Sequence, residues 1–248
     1  MKKKIIVALS LVSLGFLTAC NSTTQKRVEL LENNKVLTVI NILKPDATEK
    51  SRVLNLLKEG IDETMTKQKG YISSNVHSSA DNNYIVNYSQ WKSMEDLGEA
   101  GTLVGAGGAP KMAEAFTLSS ADYHPVMLVA QYKSDVDKKI FIDTKAEVLT
   151  LINVLVPHEG TSKEALVEMM KDALGSELVV QEGYIGSTVH LSMDNNYVIN
   201  YTQWKNQKAL EGFVAQMQAG NAPKMAAVFA AADADFHPYT VVSSHFAK

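Results

Sequence analysis

The sequence predicts an α+β protein built twice over, as two tandem ferredoxin-like (βαββαβ) units that close on each other as a pseudo-dimer within one chain. Three observations predict it. The stretch GYISSNVHSSADNNYIVNYSQWK at 70–92 returns as GYIGSTVHLSMDNNYVINYTQWK at 183–205, offset by 113 throughout. Each copy holds two runs of alternating character around an Asp-Asn-Asn turn, the signature of a β-hairpin. Each hairpin is preceded by a β-branched run and a helical period, and followed by a second helical period and a last strand.

In the first unit, residues 36–43 (VLTVINIL) are β-branched and apolar, hence a buried strand that Pro45 stops. Thr48 is the expected N-cap of a helix carrying Val53, Leu54, Leu57, Ile61 and Met65 at helical spacing, with Gly70 just past its end. Within the hairpin, alternation sends Ile85, Asn87, Ser89 and Trp91 to one face and Tyr84, Val86, Tyr88 and Gln90 to the other. Ser93 caps a second helix, which the glycine-rich 101–108 interrupts and Pro110 restarts. Residues 122–132 form the last strand.

The second unit repeats this plan. Residues 148–157 (VLTLINVLVP) match 36–45, residues 164–179 form the first helix, and Val198, Asn200, Thr202 and Trp204 share a hairpin face. Leu210, Phe213, Val214 and Met217 make an apolar stripe, Ala222-Pro223-Lys224-Met225 answers Ala109-Pro110-Lys111-Met112, and 235–246 closes the chain. A four-stranded sheet with helices on one face leaves its other face bare, and two copies can cover each other about a pseudo-two-fold axis. The boundaries read are a leader at 1–20, a tether at 21–35, a first unit at 36–132, a connection at 133–146 and a second unit at 147–247.

At 248 residues, 46% of them apolar, the composition is that of a globular protein. A net charge of −3, with no basic patch interleaved with aromatics, argues against a nucleic-acid partner. Lys2, Lys3 and Lys4 precede an apolar stretch at 5–18 that is short for a membrane span. It ends Leu17-Thr18-Ala19-Cys20, which resembles the lipobox of bacterial lipoproteins. That resemblance implies lipidation at Cys20 and a protein held at the extracytoplasmic side of the cell envelope. Cys20 is the one cysteine, so the body has no thiolate ligand or nucleophile and no disulfide. No His/Asp/Glu cluster has metal-ligand spacing, and no Ser-His-Asp arrangement can be read.

Gly70-Tyr71-Ile72, Ser74, Val76-His77, Asp81 and Asn87-Tyr88-Ser89-Gln90-Trp91, with Gly183-Tyr184-Ile185, Ser187, Val189-His190, Asp194 and Asn200-Tyr201-Thr202-Gln203-Trp204, resemble the antibiotic biosynthesis monooxygenase (ABM) family of dimeric α+β barrels. The resemblance implies a chain that is its own dimer, and so a monomer. It further implies a cavity between sheet and helices lined by Asn87 with Trp91 and by Asn200 with Trp204. The activity it implies is a cofactor-independent monooxygenase acting with O2 on a quinol- or polyphenol-type aromatic molecule. Trp supplies a stacking surface and Asn a hydrogen-bond donor. Asn41 and Asn153 fall where the family's haem-degrading members carry an Asn on the first strand and are candidate substrate-binding residues, and His77 and His190 are candidate general bases.

Against catalysis stand the scarcity of arginine, with Arg27 and Arg52 only, and the bland reading of the Trp residues as core. A non-catalytic small-molecule-binding or structural lipoprotein is therefore the alternative. Haem binding or degradation is weaker, because the second-helix regions contain no His. The two copies also differ. Gly98, Gly101, Gly105, Gly107 and Gly108 are expected to break the helix of copy one. Copy two should keep its stripe, with Phe213 and Met217 enclosing a site at Asn200 and Trp204 that takes most of the ligand.

Overall fold

The computed structural model describes residues 26–32, 35–193 and 196–248. The proposed lipidation site Cys20 and the motif residue Asp194 lie outside them. In chain order the elements are β1 (Val28–Glu29), β2 (Leu37–Pro45), α1 (Lys50–Glu63), β3 (Tyr71–Ser79), β4 (Ile85–Trp91), α2 (Met94–Gly105), α3 (Pro110–Thr117) and β5 (Ser119–Lys133). There follow β6 (Phe141–Ile142), β7 (Leu149–Pro157), α4 (Lys163–Ala173), β8 (Tyr184–Ser192), β9 (Val198–Trp204), α5 (Gln207–Gln218), α6 (Pro223–Ala230) and β10 (Ala232–Phe246).

Eight strands form one closed antiparallel barrel in the order β10-β3-β4-β2-β5-β8-β9-β7. Within it β3-β4-β2-β5 and β8-β9-β7-β10 repeat the same order. The closure comes from the length of the last strands. β5 pairs with β2 over its first half and with β8 over its second. β10 does the same with β7 and then β3. These strands begin three residues before the expected Asp122 and Asp235, at Ser119 and Ala232. The added segments, Ser-Ser-Ala and Ala-Asp-Ala, carry no alternating pattern, and their strand geometry comes from pairing with Leu43–Pro45 and Leu155–Pro157. A closed barrel removes both sheet edges.

Alternation along each strand then divides the apolar residues among three cores. Val39, Leu43, Ile85 and Trp91 meet Val53, Leu57 and Ile61 of α1. Leu151, Leu155, Val198 and Trp204 meet Leu166, Met170 and Leu174 in the same way. Ile40, Val86, Tyr88, Ile152, Ile199 and Tyr201 fill the barrel.

Two segments read as tether and connection join that inner core. Val28 pairs with Ile142, and Glu29 with Phe141. The Leu30 N–H donates to the Ile140 carbonyl at 2.9 Å, and Val28, Leu30, Ile140 and Ile142 are all buried in the barrel cluster. Two-residue strands are too short to show a period, which is why the sequence reading passes over them. The ribbon lies so close to β8 that a Cβ on Gly186 would stand 2.6 Å from Ile140 Cδ1 and 2.8 Å from the Tyr132 carbonyl oxygen.

The helices correct three expectations. α1 is capped by Glu49, not Thr48, without a side-chain cap hydrogen bond. Ser93, Ser162 and Asn206 do cap α2, α4 and α5 with their side-chain oxygens. Gly98 and Gly101 sit inside α2 and do not break it. The break after Gly105 falls within the expected 101–108 and the helix restarts at Pro110; copy two breaks at the same place, before Pro223, and Gly107 (φ 81°) and Gly220 (φ 80°) adopt the left-handed conformation there.

Candidate functional site

Two cavities lie between the sheet and the broken helices, one per half. In the first, β4, β2 and β5 place Asn87, Asn41 and Tyr123 side by side across the sheet, because Asn41 is in register with both neighbours. Trp91, Ser89 and Tyr71 continue the floor, and Leu97, Ala100, Gly101 and Val104 of α2, with Met112 and Phe116 of α3, form the roof. The volume is about 350 Å³. In the second, Asn200, Asn153 and Phe236 form the same row. Leu210, Phe213, Val214 and Met217 of α5 stand where the first cavity has Leu97, Ala100, Gly101 and Val104, and about 200 Å³ remains.

The sequence-predicted asparagines, tryptophans and helix residues fall in these cavities on one pattern. Asn41, Asn87 and Trp91 line the first, and Asn153, Asn200, Trp204, Phe213 and Met217 the second. The asparagines carry the polarity. Asn87, Asn153 and Asn200 are 5%, 8% and 5% exposed, and the Oδ1 of each has no hydrogen-bond partner. A buried amide oxygen left unpaired costs roughly 1–3 kcal/mol, so each is a standing acceptor for a ligand hydroxyl. The same amide turned over presents N–H donors to an oxyanion. The Trp91 indole N–H donates to Ser89 Oγ at 3.3 Å, and its ring meets Tyr71 edge-on at 5.2 Å. Burial raises the Tyr71 and Tyr184 phenols, so both stay protonated at neutral pH.

His77 and His190 are not in either cavity. They lie inside the barrel, on the face opposite Asn87 and Asn200, and the structure corrects their expected role as bases for a substrate there. Each ring spans the two halves. His77 Nδ1–H donates to the Asn75 carbonyl at 3.1 Å, which leaves Nε2 to accept from the Tyr201 hydroxyl at 3.2 Å. His190 Nδ1–H donates to the Ile199 carbonyl at 3.3 Å and Nε2 accepts from Tyr88 at 3.0 Å. Burial pulls both imidazoles down to about 4, so they are neutral at physiological pH.

The sequence reading missed Tyr123, Phe236, Ala100 and Val104 as lining residues. Their positions relative to the strand row and the first turns of the second helix were the available signal. It also saw no Ser-His-Asp arrangement, yet β10 and α1 bring one together. Ser243 Oγ lies 2.9 Å from His245 Nε2, and His245 Nδ1 lies 2.7 Å from Asp62 Oδ1. This trio lines neither sheet–helix cavity. Among the described residues, no group of three His, Cys, Asp or Glu side chains is placed to hold a metal ion.

Comparison with known proteins agrees with this layout. Residues 36–100 match the family described as Antibiotic biosynthesis monooxygenase. No curated protein matches the chain. Among solved structures, an anthrone oxidase-like protein superposes with a TM-score of 0.73 at 24% identity, over 90% of this chain and 97% of its own. Two proteins provisionally assigned as monooxygenases share the fold. One, from Fusobacterium nucleatum, has a TM-score of 0.57 at 5% identity over 85% of this chain and 94% of its own. The other, from Lactobacillus acidophilus, has 0.54 at 8% over 85% and 96%. Sequence match and cavity geometry coincide on the strand and hairpin that hold Asn41, Asn87 and Trp91, which lie within the residues, 36–100, that match the antibiotic biosynthesis monooxygenase family.

Proposed function

We propose that this protein is a monooxygenase that needs neither metal nor flavin and oxidises a flat quinol- or polyphenol-type aromatic molecule in a sheet–helix cavity. The observation that carries the reading is a buried, unpartnered amide oxygen, Asn87 Oδ1, in an otherwise largely apolar cavity beside the Trp91 ring. An apolar cavity with a few convergent polar groups suits a small molecule. Among the described residues, the cavity lining holds no carboxylate, imidazole or lysine. The substrate must therefore be acidic enough to enter ionised, or nearly so. Its carbanion or phenolate then reduces O2 directly. For an anthrone-type methylene, the carbanion gives one electron to O2 and the radical pair joins as a hydroperoxide. Cleavage of its O–O bond with loss of the remaining C–H proton releases water and leaves a ketone. In sum, one methylene and one O2 become one carbonyl and one water. Asn87 orients the substrate oxygen, Trp91 takes the ring, and α2 and α3 keep out water.

The test is oxygen uptake with anthrone and with 1,4-naphthoquinol in metal-free buffer. The reading expects saturable uptake above the spontaneous rate, with Asn87→Ala lowering kcat/KM about 10- to 100-fold, the loss of one or two hydrogen bonds to a charged group. Binding of either compound without added oxygen uptake would support the non-catalytic alternative. The two halves are read as tandem domains of one duplicated unit, with the chain anchored at the cell envelope through lipid on Cys20. Cys20→Ser is expected to move the protein from the membrane fraction to the soluble one, and unchanged attachment contradicts the anchor.

A further inference from the structure

Resting on the aromatic-site reading above, we infer that the chain has one working ligand site, at Trp91, and that the second cavity is the same site with its ring position filled by the protein's own Phe213. The two cavities share three floor residues, Asn41 with Asn153, Asn87 with Asn200 and Trp91 with Trp204, while Thr202 and Phe236 stand for Ser89 and Tyr123. They part at the roof. Phe213 lies on the Trp204 ring with centroids 5.6 Å apart and planes 29° from parallel, a stacked pair. The residue at that place over Trp91 is Ala100, whose side chain ends at one methyl group. The ring contact of Trp91 is the edge-on one with Tyr71. Val214 and Met217 narrow the second cavity further against Gly101 and Val104, and a Cβ on Gly101 would meet nothing within 4 Å.

The volumes follow from these three exchanges. About 350 Å³ is within the usual range for a small-molecule pocket, and about 200 Å³ falls below it. The second cavity keeps the polar end, with Asn153 and Asn200 both carrying unpartnered oxygens, and has less room for a fused ring system. Enclosure, which the sequence suggested would make the second site the better one, is achieved by occupying it. The ligand class the first cavity selects is a planar fused aromatic. It stacks on Trp91 beneath Ala100 and Gly101, with a hydroxyl or oxyanion toward Asn87 and Asn41. The row ends in Tyr123, whose counterpart Phe236 lacks the hydroxyl.

The experiment is anaerobic titration calorimetry of the full chain with anthrone, on wild type, Ala100→Phe, Phe213→Ala and the double variant. One site per chain is expected for wild type. Ala100→Phe should weaken binding at least about 100-fold. Phe213→Ala should show two sites, and the double variant one. Should Phe213→Ala not fold, Phe213→Leu serves, and Ala100→Phe decides by itself because it leaves no cavity behind. Two equal sites in wild type, or undiminished binding by Ala100→Phe, overturns this inference and leaves the aromatic-site reading standing. No binding by either wild type or Phe213→Ala overturns both.

Discussion

Lowering the pH from 6.5 to 4 should cost this fold about 3 kcal/mol for each of His77 and His190, each shift of one unit being worth about 1.4 kcal/mol. The direction follows from where the rings sit. Inside the barrel each Nδ1 gives its proton to a backbone carbonyl and each Nε2 accepts from a tyrosine of the other half. Protonating Nε2 turns it into a donor facing a hydroxyl that was donating to it, and places a charge where water cannot reach. The folded value, about 4, lies below the ordinary value of 6.5. Between those limits the unfolded chain binds more protons than the native one. The stabilisation is therefore complete above pH 6.5 and lost as the pH falls toward 4. Urea midpoints measured across this range should fall steeply in wild type. In His77→Gln/His190→Gln they should start lower and stay nearly flat. A wild-type stability that does not change between pH 6.5 and 4 contradicts the placement of these rings.

The second large effect is on Trp204. Replacing it by Ala should destabilise the protein by about 3–5 kcal/mol, the range for a fully buried large aromatic. Trp91→Ala should cost less, by about 0.5–1.5 kcal/mol for the stacked partner it lacks. Solvent exposure cannot produce the difference, since Trp91 and Trp204 are 3% and 1% exposed. It comes from the neighbours: Phe213 stacks on Trp204 beside a cavity of about 200 Å³, while Trp91 borders one of about 350 Å³. Equal losses in denaturant unfolding would mean that Trp91 is packed as fully as its counterpart.

Much of this architecture is legible in the sequence because a repeat and a period of two are strong signals. The hairpins, the helix order and the shared face of Asn87 and Trp91 all follow from them. What fails is the parity of the neighbouring strand. Counting by twos from Tyr71 places His77 on the cavity face. A bulge between Tyr71 and Ser73, repeated between Tyr184 and Gly186, inserts one residue and sends His77 and His190 into the barrel. Tyr71 and Ser74 both line the first cavity for the same reason, although three residues apart. The glycines mislead in a related way. Their number suggests a broken α2, but a helix absorbs Gly98 and Gly101. The glycine that matters is the one at positive φ ahead of Pro110, and copy two has it as well. The β1–β6 ribbon leaves no sequence pattern, since its strands are two residues each and it is recognisable only by what it covers.

The claim at the centre of this account is that oxidation of an aromatic substrate takes place in the space beneath Ala100. Oxygen uptake with anthrone, measured side by side on wild type and Ala100→Phe, tests it most directly. The account predicts saturable uptake by wild type and a rate no higher than the spontaneous one for an Ala100→Phe protein with wild-type unfolding behaviour. Turnover by Ala100→Phe at the wild-type rate would contradict it.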